Sequence, residues 1–181
     1  MLRMLKSLVF PNVLVSMIGI AAMCGIGPMM IQQGEMTPIT LQTLVLFFLA
    51  ILGGARVGAM VSLGYVCLSL WGLPVSAGYA VSKGYLHLGF YFGFIVSSIM
   101  VGSLAEIDFF RKSWTQIILW MLGHSVVLIF GLIGLSRFNP DAWSQLEYLL
   151  PGAVVKSAVG ALLVQSFRKL IEIRERKLLQ P

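Results

Sequence analysis

Long apolar stretches alternate with short charged or turn-forming breaks along the whole chain. The apolar segments cover residues 9–30, 39–52, 57–73, 85–105, 114–135 and 149–167, and a basic tail, 168–181, follows the last of them. The breaks include QQGEMTP after the first segment, GGAR at Gly53–Arg56 after the second, and Pro74 after the third. A membrane-spanning helix needs about 20 mainly apolar residues. Segments one, four, five and six reach this length, while two and three are shorter and are expected to pack against their neighbours.

The composition excludes a water-soluble protein. Hydrophobic residues make up 58% of the 181 residues, charged residues only 11%, and the mean hydropathy is +0.91, whereas about 25% of the residues of a soluble domain are charged. Backbone polar groups in lipid must be satisfied internally, and the alternating pattern of a barrel is absent, so the segments are predicted to be helices. The prediction is one all-α integral membrane domain over residues 1–181, a bundle of six transmembrane helices.

The distribution of positive charge predicts the orientation. A net charge of +6 is compatible with nucleic-acid binding, but the basic residues cluster at the ends of apolar segments, which instead indicates membrane topology. Most lie at the N-terminus, after segments two and four, and in the tail, whereas Lys83 and Arg137 lie in the alternate loops. Both termini are therefore predicted to be cytoplasmic. The first segment follows a basic start but lacks a small-x-small cleavage site, so it is interpreted as a retained transmembrane helix.

Motifs of catalysis and nucleotide binding are missing from the sequence. It contains no GxxxxGK[ST], HExxH or GxSxG motif, and no carboxylate pair lies inside an apolar segment. Cys24 and Cys67 have no second ligand at metal spacing and are interpreted as packing residues. We therefore expect no catalytic residue, metal site or cofactor in this chain.

Lys156 is the most unusual residue of the sequence. It lies in LLPGAVVKSAVGALL, and no acidic residue occurs within eight positions on either side. Its flexible stem could carry the amine to the outer interface, since Pro151 is five residues away. Alternatively, Lys156 faces the bundle interior and binds an anion, for which a ligand carboxylate is a plausible partner.

Other polar and aromatic residues fall on the same predicted outer side. They are Thr40, Gln42 and Thr43 in PITLQT, Tyr65 in segment three, and Tyr79, Lys83 and Tyr85 around the third loop; His124, at the centre of segment five, is interpreted separately as a hydrogen-bonded packing residue. Individually they are explained by helix capping, by interface preference or by packing. Their convergence with Lys156 favours a pocket. Segment one carries Gly19, Ala22 and Gly25, which form either an internal packing face or a docking face for another membrane subunit.

Several motifs together resemble the BioY family, the biotin-binding S components of energy-coupling-factor transporters. They are PITLQTL, GARVGA at Gly54–Ala59, Tyr65, GLPV at Gly72–Val75, GY at Gly84–Tyr85, GHSVVLIFG at Gly123–Gly131 and PGAVVK at Pro151–Lys156. The resemblance implies a six-helix bundle in the bacterial cytoplasmic (inner) membrane that captures biotin in an outward-facing pocket. It also implies a transmembrane coupling protein and two cytoplasmic ATPases as partners, which bind the ATP, with Gly19, Ala22 and Gly25 as the docking face.

The chain departs from the family pattern in its last segment and in the third loop. Ala153 stands where PGDxxK has aspartate, YAVSK (79–83) replaces a glycine-rich stretch, and Ser76 changes PVFA to PVSA. The implied binding residues are Lys156, Gln42, Tyr85, Thr43, Tyr65, His124 and Ala153. The site keeps its cation and loses an acceptor, so two alternatives to biotin import stay open: another small carboxylate vitamin, or a non-transporting membrane scaffold. A membrane enzyme would rest on His124 alone.

Overall fold

The computed structural model of the chain describes residues 9–26, 29–31, 39–75 and 88–178. The helices are α1 (Val9–Ile26), α2 (Gln42–Leu70), α3 (Leu88–Leu104), α4 (Ser113–Ser136) and α5 (Gln145–Leu178). The short strands β1 (Met30–Ile31) and β2 (Ile39–Thr40) pair antiparallel, with Met30 opposite Thr40. Single 3₁₀ turns at Asp108–Arg111 and Ala142–Ser144 precede α4 and α5. The described part of the chain is thus almost entirely helical, as predicted.

Helix α2 reverses direction at Gly54. This residue has φ 82° and ψ 179°, a backbone conformation that is essentially restricted to glycine. The Cβ of Ala50 lies 2.9 Å from where a Cβ on Gly58 would sit, although eight residues of a straight helix span about 12 Å. The helix therefore consists of two antiparallel arms, 42–53 and 55–70. The sequence placed a break at this GGAR motif.

Close backbone contacts at glycine hold the helices together. A Cβ on Gly102 of α3 would lie 2.6 Å from the Ala55 nitrogen, and a Cβ on Gly134 of α4 would lie 2.8 Å from the Gly89 Cα of α3. Residues this small let membrane helices approach until their backbones touch. Helix α1 packs on α2, and α5 packs on both α4 and α2. The shared core includes the buried side chains of Phe47, Val61, Tyr65, Val101 and Trp120.

The outer surface of the bundle is apolar, as expected for a protein embedded in lipid. Met17 of α1 is 63% exposed and Leu162 of α5 is 65% exposed. Ser113–Ser136 and Ala142–Lys177 are long and apolar enough to span a bilayer, whereas Gln42–Leu70 reaches that length only as the sum of its two arms. Asn12–Ile26 and Leu88–Leu104 are shorter apolar helices. The chain is a multi-pass membrane protein.

Several helix boundaries differ from the sequence prediction, including those of α2, which begins at Gln42 rather than at residue 39 and ends at Leu70 rather than at residue 73. Helix α1 ends at Ile26, and residues 29–31 are not helical, so the helix stops short of the predicted residue 30. Helix α5 begins four residues before the predicted 149 and continues to Leu178, so the basic tail is helical over most of its length. Pro151 lies inside this helix.

Candidate functional site

The side chain of Lys156 points into the bundle toward the start of α2. Its Nζ donates hydrogen bonds to the Thr40 carbonyl oxygen at 3.3 Å and to Thr43 Oγ1 at 3.1 Å. Thr40 ends β2, and Thr43 lies in the first turn of α2. The contacts of the ammonium are therefore with the interior of the protein. This geometry favours the inward-facing interpretation of Lys156 over one in which the amine extends to the interface.

The Thr43 hydroxyl connects Lys156 to His124. His124 is 2% exposed, and its Nε2 lies 3.0 Å from Thr43 Oγ1. The other ring nitrogen, Nδ1, lies 2.9 Å from the Trp120 carbonyl oxygen and 3.1 Å from Ser157 Oγ. The imidazole also stacks on the Trp120 ring, with centroids 6.3 Å apart. Both ring nitrogens thus have partners within the protein.

A second group of hydrogen bonds starts at Thr40. The Thr40 hydroxyl donates to Gln42 Oε1 at 3.1 Å, and Gln42 Nε2 donates to the Tyr65 hydroxyl oxygen at 2.5 Å. The Tyr65 hydroxyl in turn donates to the Val75 carbonyl at 3.1 Å. Because Lys156 contacts Thr40 and Thr43, it joins both groups into one polar network.

Ala153 lies beside this network, one helical turn before Lys156. Its side chain is 2% exposed, and its carbonyl accepts a hydrogen bond from Ser157 Oγ at 2.8 Å. A buried methyl group therefore occupies the position of the PGD aspartate. Tyr85, the remaining predicted binding residue, lies outside the described residues.

The charge of Lys156 has no opposite partner in the parts of the chain that the structure describes. The ion pair found there joins Arg111 to Asp108 at 3.2 Å, on the exposed turn before α4. The ammonium is held by two neutral oxygen atoms only. The described residues also contain no cluster of His, Cys, Asp and Glu able to hold a metal ion. This arrangement can bind a carboxylate, which would supply both the missing charge and strong hydrogen-bond acceptors.

The sequence did not single out Ser157 or Trp120, which both contact His124. Trp120 precedes His124 by one turn of α4, so its carbonyl lies beside the imidazole. Ser157 follows Lys156 directly, and its only distinguishing feature in the sequence is that it is a small polar residue in an apolar run. Neither signal distinguishes a site residue from a packing residue.

The predicted docking residues of α1 lie in different environments. Gly19 is buried: a Cβ there would lie 2.7 Å from both Leu49 and Val61 of α2. Ala22 is half-buried, whereas Gly25 is exposed, and a Cβ on Gly25 would meet no atom within 4 Å. Gly19 therefore serves packing within the chain, and only Gly25 has an unobstructed face.

Comparison with known proteins supports the family resemblance of the sequence and the fold. The family model described as BioY family matches residues 3–173. A protein of Rickettsia prowazekii (strain Madrid E) named probable biotin transporter BioY is 25% identical over 142 residues, which are 73% of this chain and 71% of that protein. The crystal structure at 2.1 Å of the S-component for biotin from an ECF-type ABC transporter has the same fold, with a TM-score of 0.72 and 21% identity over 89% of this chain and 90% of that one. Since the family model spans nearly the whole sequence, the chain belongs to the BioY family.

Proposed function

We propose that this protein is the substrate-binding membrane subunit of an ECF-type ABC transporter and that its ligand is biotin. The single observation that carries the proposal is the inward-facing Lys156, whose ammonium contacts only Thr40 and Thr43 within the described residues. The names of the Rickettsia relative and of the structural neighbour support biotin as the ligand. Family membership supports a transport role rather than an enzymatic one.

The chemistry of biotin complements the polar network. Its valerate group is an ionised carboxylate at neutral pH, and a charge-assisted hydrogen bond from Lys156 would neutralise both groups. Gln42, Thr43 and Tyr65 supply hydroxyl and amide groups close to the ammonium. With alanine at position 153, the described residues of the site carry net positive charge, which favours an anionic ligand over a neutral one.

We further infer six membrane crossings with both termini in the cytoplasm of a bacterial cell. The two arms of α2 count as separate crossings, and the Gly54 reversal supports this. Arg56, Arg111 and Arg168 then share the cytoplasmic end with the Gly54 turn, in accordance with the positive-inside rule. The Lys177→Cys substitution, made in a variant in which Cys24 and Cys67 are replaced, provides a single cysteine in the tail. Labelling of this cysteine tests the predicted topology. Reaction with a membrane-impermeant reagent in inverted vesicles but not in intact cells is expected, and the opposite pattern rejects the topology.

The subunit would work with a transmembrane coupling protein and two ATPase subunits. This rests on the family and on the absence of a P-loop motif from the sequence, which assigns ATP binding to other chains. Gly25 and the adjoining exposed face of α1 are the proposed contact with the coupling protein. Transport in cells should therefore require all partners, whereas ligand binding should not.

Binding of labelled biotin to the purified, folded protein tests the proposal. Saturable binding that unlabelled biotin displaces is the expected result. A folded protein that binds no biotin rejects biotin as the ligand. The buried methyl group of Ala153 favours one second candidate, another small carboxylate vitamin. If labelled biotin binds, such a vitamin would displace it more effectively than unlabelled biotin does.

A further inference from the structure

Thr43 and His124 connect Lys156 to the Trp120 carbonyl by a chain of hydrogen bonds, and each bond in this chain is donated in the same direction. A lysine ammonium only donates, so Thr43 Oγ1 must accept from Lys156. The single hydroxyl hydrogen of Thr43 is then free to be donated to His124 Nε2, 3.0 Å away. At the other end, the Trp120 carbonyl only accepts, so the hydrogen between it and Nδ1 belongs to the imidazole.

We propose that His124 is the neutral tautomer protonated at Nδ1 and that it positions Lys156 through Thr43. In this arrangement Nε2 accepts a hydrogen bond from the Thr43 hydroxyl. The lone pairs of Thr43 Oγ1 are thereby directed toward the Lys156 ammonium. In this role His124 acts on the ligand through Thr43 and Lys156 and not by direct contact. The tautomer follows from the hydrogen-bond geometry, and the effect on the ligand rests on the proposed function.

Other protonation states conflict with the surroundings of the ring. A hydrogen on Nε2 alone would leave the Nδ1 lone pair 2.9 Å from the Trp120 carbonyl oxygen, so that two acceptors face each other. An imidazolium would direct two cations, His124 and Lys156, at one hydroxyl oxygen in a buried site. Ser157 fits the proposed tautomer, because its hydroxyl hydrogen goes to the Ala153 carbonyl and its oxygen can share the Nδ1 hydrogen.

The tautomer can be measured without any ligand. The chain contains two histidines, His87 and His124, so ¹⁵N-histidine labelling in detergent micelles gives a simple spectrum, and the His87→Gln variant assigns it. We expect His124 to show a protonated Nδ1 and an unprotonated Nε2, which couplings to the ring protons identify. A protonated Nε2, alone or together with Nδ1, overturns the proposal.

The positioning role is tested by two substitutions that each imitate one ring nitrogen. Glutamine at position 124 can place an acceptor near Nε2, whereas asparagine can place its N–H near Nδ1 only. We expect His124→Gln to keep biotin affinity within about threefold and His124→Asn to lose about tenfold, the effect of one hydrogen bond. In a Thr43→Val background, His124→Asn should cause no further loss, since its effect passes through Thr43.

The possible outcomes separate the two proposals. Additive losses in the double variant mean that His124 acts as an ordinary packing residue and overturn the positioning role. Failure of the wild-type protein to bind biotin rejects the proposed function but leaves the measured tautomer unaffected.

Discussion

Gln42 and Tyr65 are separated by 23 positions and lie on different arms of α2, yet Gln42 Nε2 lies 2.5 Å from the Tyr65 hydroxyl oxygen. A straight helix would place these residues about 35 Å apart. The reversal at Gly54 brings the two arms of α2 together, and the hydrogen bond closes them at the end where Lys156 lies. The Tyr65 hydroxyl also binds the Val75 carbonyl. The Tyr65 hydroxyl therefore connects the start of the first arm, through Gln42, with Val75, which follows the second arm.

Replacing Tyr65 by phenylalanine should destabilise the protein. The substitution deprives the buried Gln42 Nε2 and the Val75 carbonyl of the Tyr65 hydroxyl as a partner, which costs about 1–3 kcal/mol. Denaturation in detergent micelles measures the change in the free energy of unfolding. Ser125→Ala is the matched control, since the exposed Ser125 hydroxyl bonds only to a carbonyl of its own helix, and it should change the value little. Equal stability of Tyr65→Phe and the control would contradict this account.

Gly54→Ala should destabilise the hairpin of α2. A side chain at φ 82° and ψ 179° costs about 1–3 kcal/mol, because only glycine adopts this conformation without strain. Gly25→Ala is the control: Gly25 is helical and a Cβ there meets no atom within 4 Å, so alanine should be neutral or slightly stabilising. Thermal unfolding of both variants provides the comparison. An unchanged midpoint for Gly54→Ala would show that the reversal does not need this conformation.

The sequence predicted the helical architecture and the reversal more fully than the details of the site. Apolar length and the GGAR break are local signals, and they located α4 and the turn at Gly54. For Lys156 the sequence predicted only that Thr40 and Thr43 lie on the same outer side of the membrane. The contact between positions 43 and 156 depends on how the helices pack, which local sequence patterns do not determine. Gly19 shows the same limit: small residues indicate close packing, but not whether the neighbour is α2 or another protein.

Ala153→Asp should be tolerated only while Lys156 is present. The two positions lie on one helix face, so a carboxylate at 153 can pair with the ammonium. In a Lys156→Met background the same substitution buries an unpaired charge, with an expected cost of about 3–5 kcal/mol. Unfolding free energies of the wild type, both single variants and the double variant measure this coupling. The same cost in both backgrounds would show that residue 153 does not face Lys156.

Gly25→Leu should weaken assembly with the coupling protein without unfolding the subunit. Gly25 faces open space, so a larger side chain would obstruct a partner rather than the chain itself. Gly19→Leu is the contrasting variant, because it would collide with Leu49 and Val61 and lower stability. Co-purification with the coupling protein and thermal unfolding separate the two effects. Wild-type assembly of Gly25→Leu would remove this face of α1 from the proposed interface.

The pairing of Lys156 with the ligand carboxylate is tested most directly by comparing biotin with its neutral methyl ester. Equilibrium binding is measured for the wild type, for Lys156→Met, and for Lys169→Met as a control at an exposed lysine of the same helix. We expect Lys156→Met to weaken biotin binding about 10- to 100-fold, as for loss of a charge-assisted hydrogen bond. We also expect the wild type and Lys169→Met to prefer biotin over the ester, and Lys156→Met to bind the two equally. A folded Lys156→Met that binds biotin as tightly as the wild type, or that still prefers biotin over the ester, would contradict the account.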